Sequence, residues 1–425
     1  MTIFRPADSG HAVLSDHDSF VNGPPHNTFA RMRREDPLAR CDGGEYKDYW
    51  SLTRYQDIMT YNRNFELLSS ARGIRLEDQN YEEYLARRTF QETDPPEHTR
   101  VRMLVGKAFS RPVIAEYEKT IRDLCCEILD RALSLGEFDG VKEVARQLPM
   151  RMLGQIIGVP DEDLDWLVTK GDELIASFDP EYASPLVEGD DSDEYRLLPF
   201  RSPASIELYD YAKQLIENKA ARNDKSGVLS LITQPNENGE VISDTEFRNF
   251  FCLIVSAGND TTRYTISAAL HALANQPELL EQLQQADEKS FNIATEEMLR
   301  WASPTMHFRR TAMRDFELHG KRVKEGDKVL LWFVSGNRDD EQFANPFNIN
   351  LDRNPNRHMA FGQGGPHVCL GMWLARLEVR LLLQTLAERV KSIRQVGKHE
   401  FLRSNFVGGI KKLPLAVELK ASQVC

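Results

Sequence analysis

Near the C-terminal end of the chain a cysteine sits among glycines, Phe361-Gly-Gln-Gly-Gly-Pro-His-Val-Cys369-Leu-Gly371, directly before the stretch Met-Trp-Leu-Ala-Arg-Leu-Glu-Val-Arg-Leu-Leu-Leu. Leu370, Leu374, Leu377 and Leu381 recur at steps of four, three and four, which predicts a helix with a buried face beginning just after Cys369. The unpaired N–H groups and positive dipole end of such a terminus stabilise an anionic sulfur, so the spacing predicts a lowered thiol pKa and a favoured thiolate. Gly362, Gly364 and Gly365 let a backbone wrap a flat, bulky group and permit positive φ angles, and Gly371 does the same on the far side. A lone cysteine after a glycine-rich turn is usually a packing residue. The full spacing Phe-Gly-x-Gly-x-x-His-x-Cys-x-Gly is far more specific.

Two other groups could work with that sulfur. Ser243-Asp-Thr-Glu246 has the serine and glutamate of a capping box, and the helix it opens can run to Asn275, where Pro277 stops it. That is about 32 residues, or roughly 48 Å, enough to cross a domain. Its middle reads Ala257-Gly258-Asn259-Asp260-Thr261-Thr262, and polar residues around a glycine in a core helix are costly unless used. Ala257 and Gly258 leave space against the helix, a kink there would free backbone groups, and Thr261 and Asp260 could hold and relay protons. A kink with a satisfied threonine is the alternative. Asn259 points about 100° away and is given no chemical role. Farther back, Asp94-Pro95-Pro96-Glu97 opens a helix that sets His98 and Arg102 at i and i+4, which alone reads as a solvated cationic face.

The cysteine loop resembles that of the cytochrome P-450 family of haem-thiolate monooxygenases. The resemblance implies that Cys369 is the axial ligand to haem iron, with Phe361, Gly362, His367 and Gly371 around the cofactor. His98, Arg102 and Arg310 match positions that face haem propionates, where a guanidinium can pair two carboxylate oxygens at once. Ala257-Gly258-x-Asp260-Thr261 matches the family's oxygen-binding groove and implies that Asp260 and Thr261 deliver protons to oxygen. Glu297-Met-Leu-Arg300, taken alone a weak i,i+3 pair, resembles a buried lock that serves structure and haem incorporation. Leu253, Val255, Met306, Phe308, Phe406 and Val407 lie in stretches that line the substrate pocket in the family, and each could equally be plain core. Phe361 to Cys369 spans eight steps where the usual bacterial loop has seven. Some bacterial members that oxidise sterols and branched lipids carry a similarly longer loop.

A chain of 425 residues with 41% hydrophobic and 28% charged residues suits a globular protein with a large core. No window approaches the eighteen or so apolar residues of a spanning helix, and the N-terminus lacks a signal-peptide core, which points to a cytoplasmic, bacterial-type enzyme without a membrane anchor. A net charge of −12 disfavours nucleic acid as partner. The six cysteines show no disulfide framework, consistent with a reducing compartment.

Residues 1–26 read as a flexible tail with solvated His11, His17 and His26, and 27–425 as one haem domain. Asn27 to Asp36 reads as helix, Tyr49 to Thr53 as strand, 72–93 as irregular, Glu116 to Leu135 and Leu148 to Ile157 as helices. Phe178 to Phe200, with its acidic run Glu188 to Glu194, reads as a mobile surface loop. Residues 316–333 read as a hairpin and Leu413 to Leu419 as a final strand.

The expectation is therefore a mainly α, single large helical domain with small peripheral β-sheets enclosing haem b. The activity implied is insertion of one atom of O₂ into a C–H bond of a hydrophobic terpenoid, steroid, or branched or fatty lipid, by a monomer. A small-aromatic substrate, an H₂O₂-using peroxygenase and a non-catalytic haem sensor are the alternatives. The chain shows no flavin-binding segment, so electrons are expected from NAD(P)H through a ferredoxin and its reductase, docking on Arg100, Lys107, Arg111 and Arg376.

Overall fold

The structure is a computed structural model that describes residues 13–175, 195–221, 227–236 and 238–420, with Asp179 and Glu181. The acidic run Glu188 to Glu194 and His11 lie outside the described residues.

One helix, Asp244–Asn275, forms the axis of the molecule. Ser243 Oγ accepts from the Glu246 N–H while the Glu246 carboxylate accepts from the Ser243 N–H, so both orphan donors at its start are satisfied. Phe250, Phe251, Val255, Ile266 and Leu273 are buried on different sides of it, as befits a helix surrounded by protein. Helices Gln147–Ile157, Leu164–Ile175, Ala204–Ala221, Glu288–Ala302 and Met372–Arg389 pack around it. The helix is continuous through Gly258.

The β structure is peripheral. A five-stranded sheet has the order Leu38–Cys41, Tyr49–Leu52, Lys328–Trp332, His307–Ala312, Leu68–Ser69, with only the second and third strands parallel. The expected hairpin over 316–333 is shorter: Phe316–Leu318 turns at His319 and Gly320 into Lys321–Val323, and Lys328–Trp332 leaves for the large sheet. Phe333 begins a short helix instead of ending the strand. The final strand, Pro414–Leu419, pairs with Glu137–Asp139 and Val390–Gln395.

Three other expectations are corrected. Residues 13–26 are no loose tail, because Leu14, His17 and Phe20 are buried and the His17 ring accepts from the Asn405 N–H. His26 is also shielded, its ring edge-on to Phe347. Within 72–93, Tyr81–Arg87 is helical, started by a capping box between Asn80 and Glu83. Cys126 is disulfide-bonded, while Cys41, Cys125 and Cys252 are buried thiols.

The helix Glu288–Ala302 carries the Glu-x-x-Arg pair, and both side chains are fully buried. Glu297 Oε1 accepts from Arg300 Nη2 at 2.8 Å and from the Asn350 N–H at 2.9 Å. Its Oε2 accepts from Arg300 Nε, Arg353 Nε and Asn356 Nδ2 at 2.8–3.0 Å. Arg300 Nη1 donates in turn to the carbonyls of Asn337 and Pro346. Removing one partner would strand a buried charge. We expect Arg300→Ala to cost about 3–5 kcal/mol in urea unfolding, and a loss below about 1 kcal/mol would show that Arg353 alone satisfies the carboxylate.

Candidate active site

The cysteine loop is held from both ends. The Cys369 N–H donates to the Phe361 carbonyl at 2.9 Å, and the helix Met372–Arg389 starts at Gly371. Gly362 and Gly364 adopt positive φ, as anticipated. Gly365 has a different reason: a Cβ there would lie 2.2 Å from the Asn62 carbonyl oxygen, so the glycine lets the helix Tyr55–Asn62 approach. Asn62 Nδ2 donates to the carbonyls of Gly362 and Gln363, and its Oδ1 accepts from Arg310 Nη2. Nothing local in the sequence marks Asn62 for this role.

Cys369 opens into a cavity of about 1110 Å³ that lies between its loop and the middle of the central helix. Ala257, Gly258, Asp260 and Thr261 line one wall; Phe361, Gly362, His367 and Gly371 line the other with Cys369. The thiol pKa is pushed up by burial, against the opposing pull of the Gly371 backbone N–H, Arg102 and Arg376. The lowered value inferred from the helix terminus is thus corrected, because desolvation outweighs the dipole and both cations.

His98 is 1% exposed, so the solvated cationic face is not formed. Its ring lies 4.2 Å from that of His367 and stacks on Phe90. It borders a smaller recess beside Cys369 that it shares with Arg102 and Val368. Arg102 also lines the main cavity, donating to the Val368 carbonyl at 2.7 Å. Arg310 is buried behind them and donates to the Arg309 carbonyl as well as to Asn62.

On the central helix, Thr261 Oγ donates to the Ala257 carbonyl at 2.7 Å. Asp260 is buried 4.0 Å from Arg263. Arg263 also pairs with Asp172, which Arg146 holds at 2.6 Å, and donates to Asn259 Oδ1 at 2.9 Å. Asn259, left without a role by sequence reasoning, therefore steadies the arginine beside Asp260. An arginine three residues after an aspartate in a core helix was the readable signal for this cluster.

Leu253, Phe308, Phe406 and Val407 line the cavity. Val255 does not: two residues from Leu253 is about 200° round a helix, and it is fully buried in the main core. Met306 is also core. Its backbone is pinned between the Phe406 carbonyl and the Val334 N–H, and its side chain packs with Trp332 and Leu330. Sequence reasoning missed Ile74, Arg75, Phe200, Phe250 and Ile254 on the cavity wall.

The cytochrome P-450 family profile matches residues 204–412. A Mycobacterium marinum cytochrome P-450 solved with pseudoionone superposes with a TM-score of 0.82 at 32% identity, covering 92% of this chain and 94% of that one. The chain is a cytochrome P-450. It is 33% identical to the methyl-branched lipid omega-hydroxylase of Mycobacterium tuberculosis, over 91% of this chain and 90% of the relative. The steroid C26-monooxygenase of the same organism is 32% identical over 94% and 90%. This P-450 is accordingly a mainly α haem protein and a monooxygenase. No helix among its described residues is long and apolar enough to cross a membrane.

The residues present fit haem. His98 Nδ1 and Nε2 and His367 Nδ1 are buried without hydrogen-bond partners. Burial and the neighbouring Arg102 and Arg310 hold the His98 pKa down to about 4, and the same causes depress His367 further. Asp94 acts as an opposite charge on His98 and Arg310, and a group bearing carboxylates would add the counter-charge and acceptors that the unpartnered ring nitrogens and the remaining guanidinium N–H groups can use.

Asp260 in this P-450 has its pKa raised from 3.8 to about 7, chiefly by burial and against the pull of Arg263. A raised acid pKa adds stability that is fully present below the unfolded value and lost as pH rises through the folded one. Unfolding across pH 4 to pH 7 should therefore show Asp260→Asn gaining on the wild type as pH rises. A pH-independent gap between the two would mean that Arg263 keeps the carboxylate ionised.

Proposed function

We propose that this P-450 hydroxylates an extended apolar lipid of the methyl-branched or steroid class, with Cys369 as the axial ligand of its haem. The observation that carries this reading is one continuous cavity. It has Cys369 on one wall, Thr261 and Asp260 on the other, and an apolar extension along Phe250, Leu253, Phe308 and Phe406. Both relatives described above are named for lipid or steroid substrates.

Haem, when bound, supplies the iron chemistry that activates O₂ and inserts one oxygen atom into a C–H bond. Cys369, His98, Arg102, Arg310 and His367 would hold it, the sulfur through the metal and the basic groups through carboxylates. Ala257 and Gly258 keep side-chain bulk off the wall opposite the sulfur. Because the Thr261 proton is engaged with the Ala257 carbonyl, its oxygen lone pairs remain as an acceptor toward the cavity. Asp260, half-protonated near neutrality, holds a proton next to it and can release one there.

Electrons come, in this reading, from NAD(P)H through a ferredoxin and its reductase. Of the four cations considered for docking, Arg100 is paired with Glu97 and Glu246, and Arg376 with Glu296. Lys107 and Arg111 are exposed and make no ion pair among the described residues, so they and the exposed Met103 define the better face for an acidic partner.

Two experiments test the assignment. The reduced, CO-bound protein should show the family's red-shifted Soret band, and Cys369→His should abolish it; survival of the band would remove Cys369 as ligand. In turnover with branched-chain lipids, NAD(P)H, ferredoxin and reductase, Thr261→Ala should keep NAD(P)H consumption while product per NAD(P)H falls about tenfold or more, with hydrogen peroxide making up the difference. Undiminished product yield would reduce Thr261 to a packing residue. No turnover through ferredoxin, alongside normal chemical reduction, would exclude that donor.

A further inference from the structure

Several arginines line the cavity, and nearly all have a carboxylate of their own. Arg87 and Arg201 share Glu83, Arg196 holds Glu82, Arg263 holds Asp172 and Arg403 holds Asp18. Arg102, whose surroundings fit haem, donates to the Val368 carbonyl. Arg75 differs from all of these.

It lies in the segment between the strand Leu68–Ser69 and the helix Tyr81–Arg87, half-buried in the cavity wall. Its guanidinium carbon is 4.9 Å from the Phe406 ring centroid and 5.8 Å from that of Phe200. Among the described residues it has no hydrogen bond and no ion pair. Glu92 and Asp260 both feel its charge, but neither is at ion-pair distance. Glu92 accepts from the Thr89 N–H and Gln79 Nε2. Asp78 pairs with Arg309 and Lys328, and the charge of Glu77 acts on His17 and Arg309.

A guanidinium between two aromatic faces is fixed in place by cation–π attraction while its N–H edge stays free. In a cavity wall, that edge is a preorganised donor set for a planar anion, and a carboxylate matches its two-pronged geometry. We propose that Arg75 is a specificity-determining residue that binds the carboxylate of the substrate, so that the preferred ligands are apolar chains ending in a free acid. The inference rests on the lipid reading above and narrows it to acids.

The test is a titration of the holoenzyme with hexadecanoic acid and with methyl hexadecanoate, followed by the low-spin to high-spin absorbance shift. Wild type should bind the acid about tenfold or more tightly than the ester. Arg75→Leu should erase that preference while leaving ester affinity within about threefold, and Arg75→Lys should restore part of it. Equal affinity of wild type for acid and ester would overturn the role of Arg75 and leave the lipid reading intact. Failure of both ligands to bind would overturn the lipid reading and the inference with it. Loss of haem from both Arg75 variants would place Arg75 on the cofactor and overturn the inference alone.

Discussion

A single buried carboxylate organises the approach to the cavity. Glu297 accepts five hydrogen bonds, and its donors come from its own helix, from the Asn350 backbone and from Arg353 and Asn356. Arg300 passes the constraint to the carbonyls of Asn337 and Pro346, and Asn337 Oδ1 accepts from the Met359 N–H just before the cysteine loop. The neighbouring Glu296 binds Arg376 and His358, which ties the same helix to the one that follows Cys369. A long irregular segment has no ladder of its own to fix it. Here two adjacent glutamates do the fixing, each toward a different part of the chain that carries the sulfur.

That arrangement explains why the loop can be so rich in glycine without losing its shape. The backbone between Phe361 and Cys369 is closed by one hydrogen bond across its mouth and by Asn62 from outside. Gly365 admits the end of the Asn62 helix, whereas Gly362 and Gly364 supply the left-handed turns. Side-chain-free positions in one loop thus meet two demands: close approach of protein on one side and open space on the other.

The long-range elements with strong local signals were legible in the sequence. The capping box at Ser243 and the stop at Pro277 bounded the central helix correctly, and the cysteine motif located the sulfur at a helix start. What the sequence hid was set by contacts between distant residues. Val255 and Leu253 share a stretch but face opposite ways, and Met306 is turned by backbone hydrogen bonds to Phe406 and Val334 that no local pattern encodes. The apparent tail failed for a compositional reason: Leu14, His17 and Phe20 are too sparse to show periodicity, yet each is buried against the body. The thiol pKa failed through a missing magnitude, since the helix terminus was counted and desolvation was not.

The buried polar groups of this P-450 fall into two electrostatic kinds, and the difference bears on function. Glu297, Arg300 and Asp172 are paired within the chain, so they fix geometry and have little left to offer a ligand. Among the described residues His98 and His367 carry unpartnered nitrogens, and Arg75 makes no hydrogen bond or ion pair, all at or beside the cavity. An unsatisfied buried group costs stability, and those at the cavity are the ones a bound group can complete. Asp260 stands between the two kinds. Arg263 is near enough to pull on its carboxyl, yet that arginine is shared with Asp172 and Asn259, and the remaining field is too weak to overcome burial. Burial, aided by the nearby Asp172 charge, thus outweighs the pull of Arg263 and Arg75 and raises the Asp260 carboxyl on the cavity wall.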